Sequence, residues 1–330
     1  MLDFSSITWK VHKRTVSKNL KYKGHIIVRR YANQKTKFGR FLARNGGNLW
    51  GGFKRDIAVK LYIQPVIRRF VRRFYSPRNP EKWLFLVGCY NSGTTILRDI
   101  VASHPNVSDL PFEGVKLTSA FPDLEVGGWP RMMYRNKAHW DKIDSNAANL
   151  ARADWSPWWG KSATIFLEKS IDHSTRIKWL NENFTNAHFL SITRNGLAVA
   201  EGIARRSKPK GAAIKELGQD YYPPEMIADQ WCAFDLQISQ DLAGVQNKLS
   251  ITYEDLMANT QIIISQIFTF LDLPDPTIIT EGNTVIVNGR AFELIDQNNM
   301  AIARLDPERR KKLQFHMHST LEKYGYKGLL

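Results

Sequence analysis

Apolar and polar positions along the chain fall into two kinds of short run. Trp83 to Val87 is a continuous stretch of aromatic and branched residues, the pattern of a buried strand, and Ala187 to Thr193 and Leu249 to Tyr253 repeat it. Between and after these runs the apolar residues recur at helical spacing. Thr95 to Ser103 reads as a helix ended by His104-Pro105, and Ile177, Leu180 and Phe184 fall at i, i+3 and i+7. A helix follows the second strand from about Leu197 to Arg206. Ile227, Trp231, Phe234, Ile238 and Leu242 then trace one clean helical face. Ile262 to Leu271 predicts another helix stopped by Pro274, and Asp306-Pro307 opens a last one with capping chemistry in place. Strand alternating with helix predicts an α/β fold, a mostly parallel central sheet with helices on both faces. Ligands of such sheets sit beyond the carboxyl ends of the strands.

The breaks divide the chain. Ser76-Pro-Arg-Asn-Pro80 reads as a linker, giving an extension over residues 1–80 and a main domain over 81–330. Asn106 to Pro122 reads largely as loop. Trp129-Pro-Arg-Met-Met-Tyr134 and Trp155-Ser-Pro-Trp-Trp-Gly160 are aromatic-rich and irregular, suited to a substrate-facing wall or to packing. Lys208 to Pro224 is polar and broken by glycine and proline, which predicts a mobile surface loop, and Asn283 to Arg290 reads as a loop or short strand.

Charge sharpens the division. The net charge is +16, yet residues 1–82 hold 21 Lys/Arg against Asp3, Asp56 and Glu81, so the remainder is nearly neutral. That split argues against a specific nucleic-acid binder. Within the extension, basic clusters (Lys21, Lys23, Arg29, Arg30) precede a glycine-rich break at Gly46-Gly47 and Gly51-Gly52. Ile57 to Tyr75 then mixes apolar residues with Lys60, Arg68, Arg69, Arg72 and Arg73 and is interrupted by Pro65. It fits a basic amphipathic helix on an anionic membrane surface, a holder for an acidic polymer, or a solvated arm. No apolar run approaches the ~20 residues that span a bilayer, and no secretory signal is visible, so the expected location is cytoplasmic or peripheral on the inner membrane surface. Cys89 and Cys232 suggest neither a disulfide framework nor a zinc site; both are expected to be buried small residues. His316 and His318 lack a third ligand, so no metal is expected.

The first strand leads into Gly88-Cys-Tyr-Asn-Ser-Gly-Thr-Thr95, close to the phosphate-cradling pattern G-x-x-x-x-G-K-[ST]. Thr94 stands where that pattern has lysine, which argues against ordinary ATP chemistry. A loop feeding a helix N-terminus can still hold an anion, or be no more than a capped structural turn. Gly88-Cys-Tyr-Asn-Ser-Gly-Thr-Thr-Ile-Leu97 resembles the 5′-phosphosulfate loop of sulfotransferases that use 3′-phosphoadenosine 5′-phosphosulfate, whose core is [K/R]-S-G-T-[TS]. The resemblance implies a P-loop-like sulfotransferase fold, and a nucleotide co-substrate held without metal by Gly88, Asn91, Ser92, Gly93, Thr94 and Thr95. Asn91 stands where the family has Lys or Arg, keeping a donor but no charge.

Other segments extend the resemblance over about residues 83 to 325. Ser191-Ile-Thr-Arg-Asn195 is similar to the strand whose arginine grips the 3′-phosphate, which assigns that role to Arg194. The family's serine eight positions later falls on Gly202, leaving Arg205, Arg206 or Arg290 to replace its contact. Glu113, in Pro111-Phe-Glu-Gly114, lies 22 residues after Asn91, near the spacing of the family's catalytic base; partial burial tunes a glutamate for that task. Lys169 in Glu168-Lys-Ser170 resembles the lysine that stabilises charge passing to the leaving phosphate, with Lys169 or Arg98 standing in for the charge absent at Asn91. Tyr253-Glu-Asp-Leu256 and Leu271-Asp-Leu-Pro274 look like a structural segment. Asn288, Gly289 and Arg290 resemble the late loop that closes over the nucleotide. The implied activity is sulfuryl transfer to a hydroxyl acceptor, first a glycan, with a phenol or tyrosyl peptide open. The rival readings are a P-loop kinase and a non-catalytic nucleotide- or polyanion-binding relative.

Overall fold

The computed structural model describes residues 49–140 and 142–326. The clusters at Lys21, Lys23, Arg29 and Arg30 and the Gly46-Gly47 break lie outside the described residues. The first helices are α1 (Leu49–Tyr62) and α2 (Pro65–Arg72). Pro65 occupies the first turn of α2, where its missing N–H costs nothing, and Gln64 before it is extended. Gly51 and Gly52 lie inside α1, not at a break.

The central sheet contains β1 (Lys82–Val87), β2 (Val107–Asp109), β3 (Ile165–Glu168), β4 (Ala187–Thr193) and β5 (Lys248–Thr252), all parallel, in the order β2-β3-β1-β4-β5. Three of these strands match the apolar runs. The other two span three and four residues, too short for periodicity to show, so the sequence predicts loop over 107–109 and no element over 165–168. Tyr253 is not strand; it opens the following helix.

Burial on both faces explains the unbroken apolar run of β1. Trp83, Phe85 and Val87 face one core with Phe166 and Phe189, while Leu84 and Leu86 face another with Leu167, Leu190 and Ile192. The first core is covered by α1, α2, α4 (Ala147–Trp155), α5 (Ile177–Asn183) and the end of α8 (Pro224–Ala243). The second is covered by α3 (Thr94–Val101), α9 (Tyr253–Ala258) and α10 (Thr260–Phe270), together with a small antiparallel sheet. That sheet is β6 (Ile278–Glu281), β7 (Thr284–Val287) and β8 (Arg290–Glu293), so the segment 283–290 pairs as a hairpin. A third cluster joins α6 (Gly196–Arg206), α8, α11 (Asn298–Ile302) and α12 (Pro307–Lys323) beside the carboxyl end of the sheet.

The tryptophans of 155–159 are packing, not wall: Trp155, Trp158 and Trp159 are buried around Trp83 and Phe166, with Trp159 stacked on Phe166 at 4.5 Å. The 208–224 segment is not an open loop. It holds α7 (Ala212–Leu217), and Gly128 lets it pack close, since a Cβ there would meet the Lys210 carbonyl at 2.0 Å.

Candidate active site

Every strand of the central sheet ends at a residue of interest, and in a parallel sheet those ends share one edge. β1 runs into the Gly88 loop, β2 toward Glu113, β3 into Lys169, β4 into Arg194 and β5 into Tyr253. The register sets Phe85 opposite Glu168 and Val87 opposite Ser191, so the chain segments leaving β1, β3 and β4 start as lateral neighbours.

The loop is built by close approach. A Cβ on Gly88 would lie 2.5 Å from the Ile192 carbonyl, so only glycine fits between β1 and β4. Ser174 clasps the same residue from the other side. Its Oγ accepts from Gly88 N at 2.9 Å and donates to Gly88 O at 3.1 Å. Gly93 carries φ 97° at the start of α3, and Asn91 carries φ 60°, a left-handed conformation that asparagine tolerates better than most residues. Thr94 is buried and Thr95 is exposed at the first turn of the helix. Burial pushes the Cys89 thiol up to about 12, so it is no nucleophile at neutral pH. Cys232 is half-buried rather than enclosed.

Arginines from three elements converge on Asn91. Arg194 Nη1 donates to the Asn91 carbonyl at 2.8 Å, while Arg131 Nη1 and Arg206 Nη1 donate to its side-chain Oδ1 at 3.0 and 2.9 Å. No carboxylate forms an ion pair with Arg131 or Arg206 among the described residues. Arg206 has its pKa lowered by burial first and then by repulsion from Arg205, Arg131 and Arg194. Three polar groups in this small region, Asn91 Nδ2, Ser92 Oγ and Arg194 Nη2, are buried with no hydrogen-bond partner. Such groups are costly unless something fills them, which fits an anion with several acceptor oxygens.

Arg194 is held in place from below. Its Nε donates to Asn298 Oδ1 at 2.8 Å, and its guanidinium lies 4.1 Å over the Tyr253 ring. Glu254 in turn accepts from Asn298 Nδ2 at 2.6 Å, Asn195 N at 3.0 Å and Tyr326 at 2.7 Å. The Tyr253-Glu254 pair therefore orients the arginine.

Gly202 touches the same place. A Cβ there would come within 2.8 Å of Asn91 Cγ and Nδ2, so the two positions that depart from the sulfotransferase pattern are in contact with each other. Of the three arginines considered as replacements, Arg206 reaches the loop. Arg205 is turned onto Glu201 at 2.7 Å, and Arg290 donates to Ala102 O at 2.9 Å. Ala102 caps the far end of α3, and Asn288 donates to the neighbouring Ser103 at 3.3 Å. Asn288 and Arg290 thus place the β7–β8 turn at the C-terminal end of α3, about 12 Å along the helix from the Gly88 loop. Arg98 is likewise taken, by Asp99 and Asp109.

The two proposed catalytic residues meet. Lys169 Nζ donates to Glu113 Oε1 at 2.7 Å, with the lysine largely enclosed and the glutamate partly open. Beneath them Glu168 is fully buried. Burial would raise its carboxyl, but His173 at 2.9 Å, the Ser170 hydroxyl and the Gly114 N–H together hold it below the usual carboxylate range. By accepting from Gly114 N at 2.7 Å, Glu168 ties the Glu113 turn to the strand carrying Lys169. Arg131, Asn298 and Ser174 escaped the sequence reading: none belongs to a recognisable motif, and Arg131 is hidden among the aromatics of 129–134.

A family model described as the sulfotransferase family matches residues 84–277, more than half of the chain. The chain belongs to the sulfotransferase family. Protein-tyrosine sulfotransferase A of Caenorhabditis elegans is 24% identical over 199 residues, 58% of this chain and 50% of that protein. The chain thus spans about half the length of the curated relative it matches. Among solved structures, a sulfotransferase from Alicyclobacillus acidocaldarius is 16% identical, covering 76% of this chain and 98% of its own with a TM-score of 0.48. Sulfotransferase STF9 from Mycobacterium avium is 14% identical, covering 98% and 95% with a TM-score of 0.47. Mouse sulfotransferase SULT7A1, solved with PAP, is 13% identical, covering 81% and 95% with a TM-score of 0.37. No group of three or more His, Cys, Asp or Glu suited to a metal ion occurs among the described residues of this family member.

Proposed function

We propose that the chain moves a sulfuryl group from 3′-phosphoadenosine 5′-phosphosulfate to a hydroxyl acceptor. The observation that carries this reading is the convergence of Arg131, Arg194 and Arg206 on Asn91, beside buried donors with no partner. Gly88, Ser92, Gly93, Thr94 and Thr95 supply backbone and hydroxyl donors for one phosphate of the nucleotide, and Arg194 supplies the grip on another. Arg131 and Arg206 bring the charge that a lysine in the loop would otherwise carry. The nucleotide supplies an activated sulfuryl group on its 5′-phosphate. Glu113 takes the acceptor's proton, and Lys169 holds Glu113 in place and offers its cation to the oxygens that gain charge.

A non-catalytic nucleotide-binding relative is the second reading, favoured by the neutral Asn91. The Glu113–Lys169 pair has no use in that reading, which is why transfer is preferred. We read the acceptor as a glycan, since a basic extension retains anionic polymers. A tyrosyl peptide is the next choice, supported by the name of the Caenorhabditis elegans relative. The expected location is cytoplasmic, with residues 1–80 touching the inner membrane surface or a polyanion.

Calorimetry with 3′-phosphoadenosine 5′-phosphate in chelator, alongside ATP with magnesium, tests the reading when paired with a transfer assay on labelled donor. Metal-independent binding of the first ligand and transfer to a hydroxyl acceptor are expected. Binding without any transfer leaves the non-catalytic relative, and preference for magnesium-ATP overturns both.

A further inference from the structure

Helices α1 and α2 each show two faces. Ala58 and Tyr62 of α1 and Val71 of α2 enter the core on one side of the sheet. Asp154 anchors them there, reached by Arg68 at 3.6 Å and Arg72 at 3.2 Å and supplying the carbonyl that Tyr62 donates to at 2.5 Å. A neighbouring face, turned to solvent, is also apolar. Ile57 and Leu61 stand one turn apart on α1, 43% and 45% exposed. Val66, Phe70 and Phe74 continue the same i, i+4 spacing along and just past α2, 77%, 59% and 53% exposed, with the two phenylalanine rings 5.1 Å apart. A contiguous apolar strip of this kind marks a surface that meets something other than water.

We propose that this face seats α1 and α2 in the surface of an anionic lipid bilayer, the apolar strip entering the acyl boundary and the cations meeting the headgroups. Charge selects this occupant. Residues 53–75 carry seven Lys/Arg against Asp56 alone, and once Arg68 and Arg72 are spent on Asp154 the exposed Lys54, Lys60, Arg69 and Arg73 still border the strip. Residues 1–48 hold twelve Lys/Arg and a single acid, Asp3, so neither that segment nor a second copy of the face complements the rim. An acidic polymer answers the cations but leaves Val66, Phe70 and Phe74 in water, whereas an anionic bilayer answers both. No helix among the described residues is long and apolar enough to cross a membrane, so the mode is interfacial. The inference commits α1 and α2 to lipid, leaves the twelve Lys/Arg of residues 1–48 to meet an anionic acceptor, and does not depend on sulfuryl transfer.

Flotation of the full chain tests it, with vesicles of phosphatidylcholine alone and of phosphatidylcholine mixed with phosphatidylglycerol. The chain floats only with the mixed vesicles. The F70S/F74S double variant floats at least about tenfold less, and K60E/R69E behaves likewise. An environment-sensitive dye on V66C shifts to the blue when mixed vesicles are added. Three results overturn the proposal: no flotation of the parent chain, flotation unchanged in F70S/F74S, or a dimer in solution that F70S/F74S dissociates, which gives the face to a second copy. Each variant keeps its affinity for 3′-phosphoadenosine 5′-phosphate. Failure of the parent chain to bind that nucleotide strikes the proposed function and leaves this inference standing.

Discussion

The polar cluster around Asn91 and the outer face of α1–α2 break opposite rules of folding. Near Asn91, hydrogen-bonding groups are buried without partners; on α1–α2, large apolar groups are left in solvent. Neither arrangement helps the isolated chain. On the readings proposed above each would be relieved by a different partner, an anion rich in acceptor oxygens in one case and an apolar phase behind a negative surface in the other. The two regions also differ in how they are held. The Asn91 cluster is braced by layers of polar contacts from Glu254, Asn298 and Ser174, while the arm, beside the apolar packing of Ala58 and Val71, is docked through Asp154 and the Tyr62 phenol. Substitutions should therefore separate them cleanly.

The largest effect falls on chemistry. Glu113→Gln keeps the size and the contact with Lys169 but cannot take a proton, so kcat should fall about 10³-fold while nucleotide affinity stays within a factor of about two. Turnover at the parent rate removes Glu113 from its role. Next comes Arg194→Ala, which deletes the buried guanidinium between Asn91 and Asn298. Affinity for 3′-phosphoadenosine 5′-phosphate should drop about 100-fold by calorimetry, with vesicle flotation unaltered. Indifference of binding to this change means the Asn91 cluster is not the nucleotide site.

Arg131→Ala and Arg206→Ala sharpen the picture further. Each removes one of the two donors on Asn91 Oδ1 from a partly exposed position, so each should weaken the nucleotide about tenfold. Because they share a partner, the double variant should deviate from additivity. Adding Gly202→Ser tests the contact between the two departures: its Cβ crowds Asn91, so it should cost affinity in this chain instead of restoring a family contact. A gain in affinity on that substitution contradicts the coupling.

What the sequence disclosed follows from how local each signal is. The Gly88 loop and Arg194 are readable because a strand, a turn and a charged residue lie together along the chain. Glu113 and Lys169 are found only through similarity to a family pattern. Their meeting depends on β2 and β3, strands of three and four residues whose existence is decided by pairing, β3 with β1 and β2 with β3, and not by their own composition. The late loop at Asn288–Arg290 is the reverse case: its residue types show in the sequence, but the hairpin that turns it toward Ala102 and Ser103 does not. Asn91 and Gly202 look like two separate losses in sequence. In space they touch, since a Cβ at 202 would crowd, at 2.8 Å, the Asn91 amide that gathers Arg131 and Arg206. The direction in which α1 and α2 face is equally invisible beforehand, because apolar residues lie on both sides of each helix and Asp154, far along the chain, decides which side turns inward.

The smallest effect concerns that anchoring. Tyr62 is fully buried, packs edge-on against Trp158 at 5.2 Å and donates to the Asp154 carbonyl. Tyr62→Phe keeps the ring and deletes the hydroxyl, leaving a buried carbonyl short of a donor at a cost of about 1 kcal/mol. That energy loosens the arm without touching the Asn91 cluster, which lies at the carboxyl edge of the sheet. Limited proteolysis between residues 62 and 80 should run about fivefold faster, matching a shift of that size in the local opening equilibrium, and the Arg68 and Arg72 contacts keep the arm from detaching altogether. Nucleotide affinity should be unchanged. If it falls together with the protection of the arm, the two regions are one cooperative unit, and the separate relief of a buried polar cluster and an exposed apolar strip is the wrong description of this molecule.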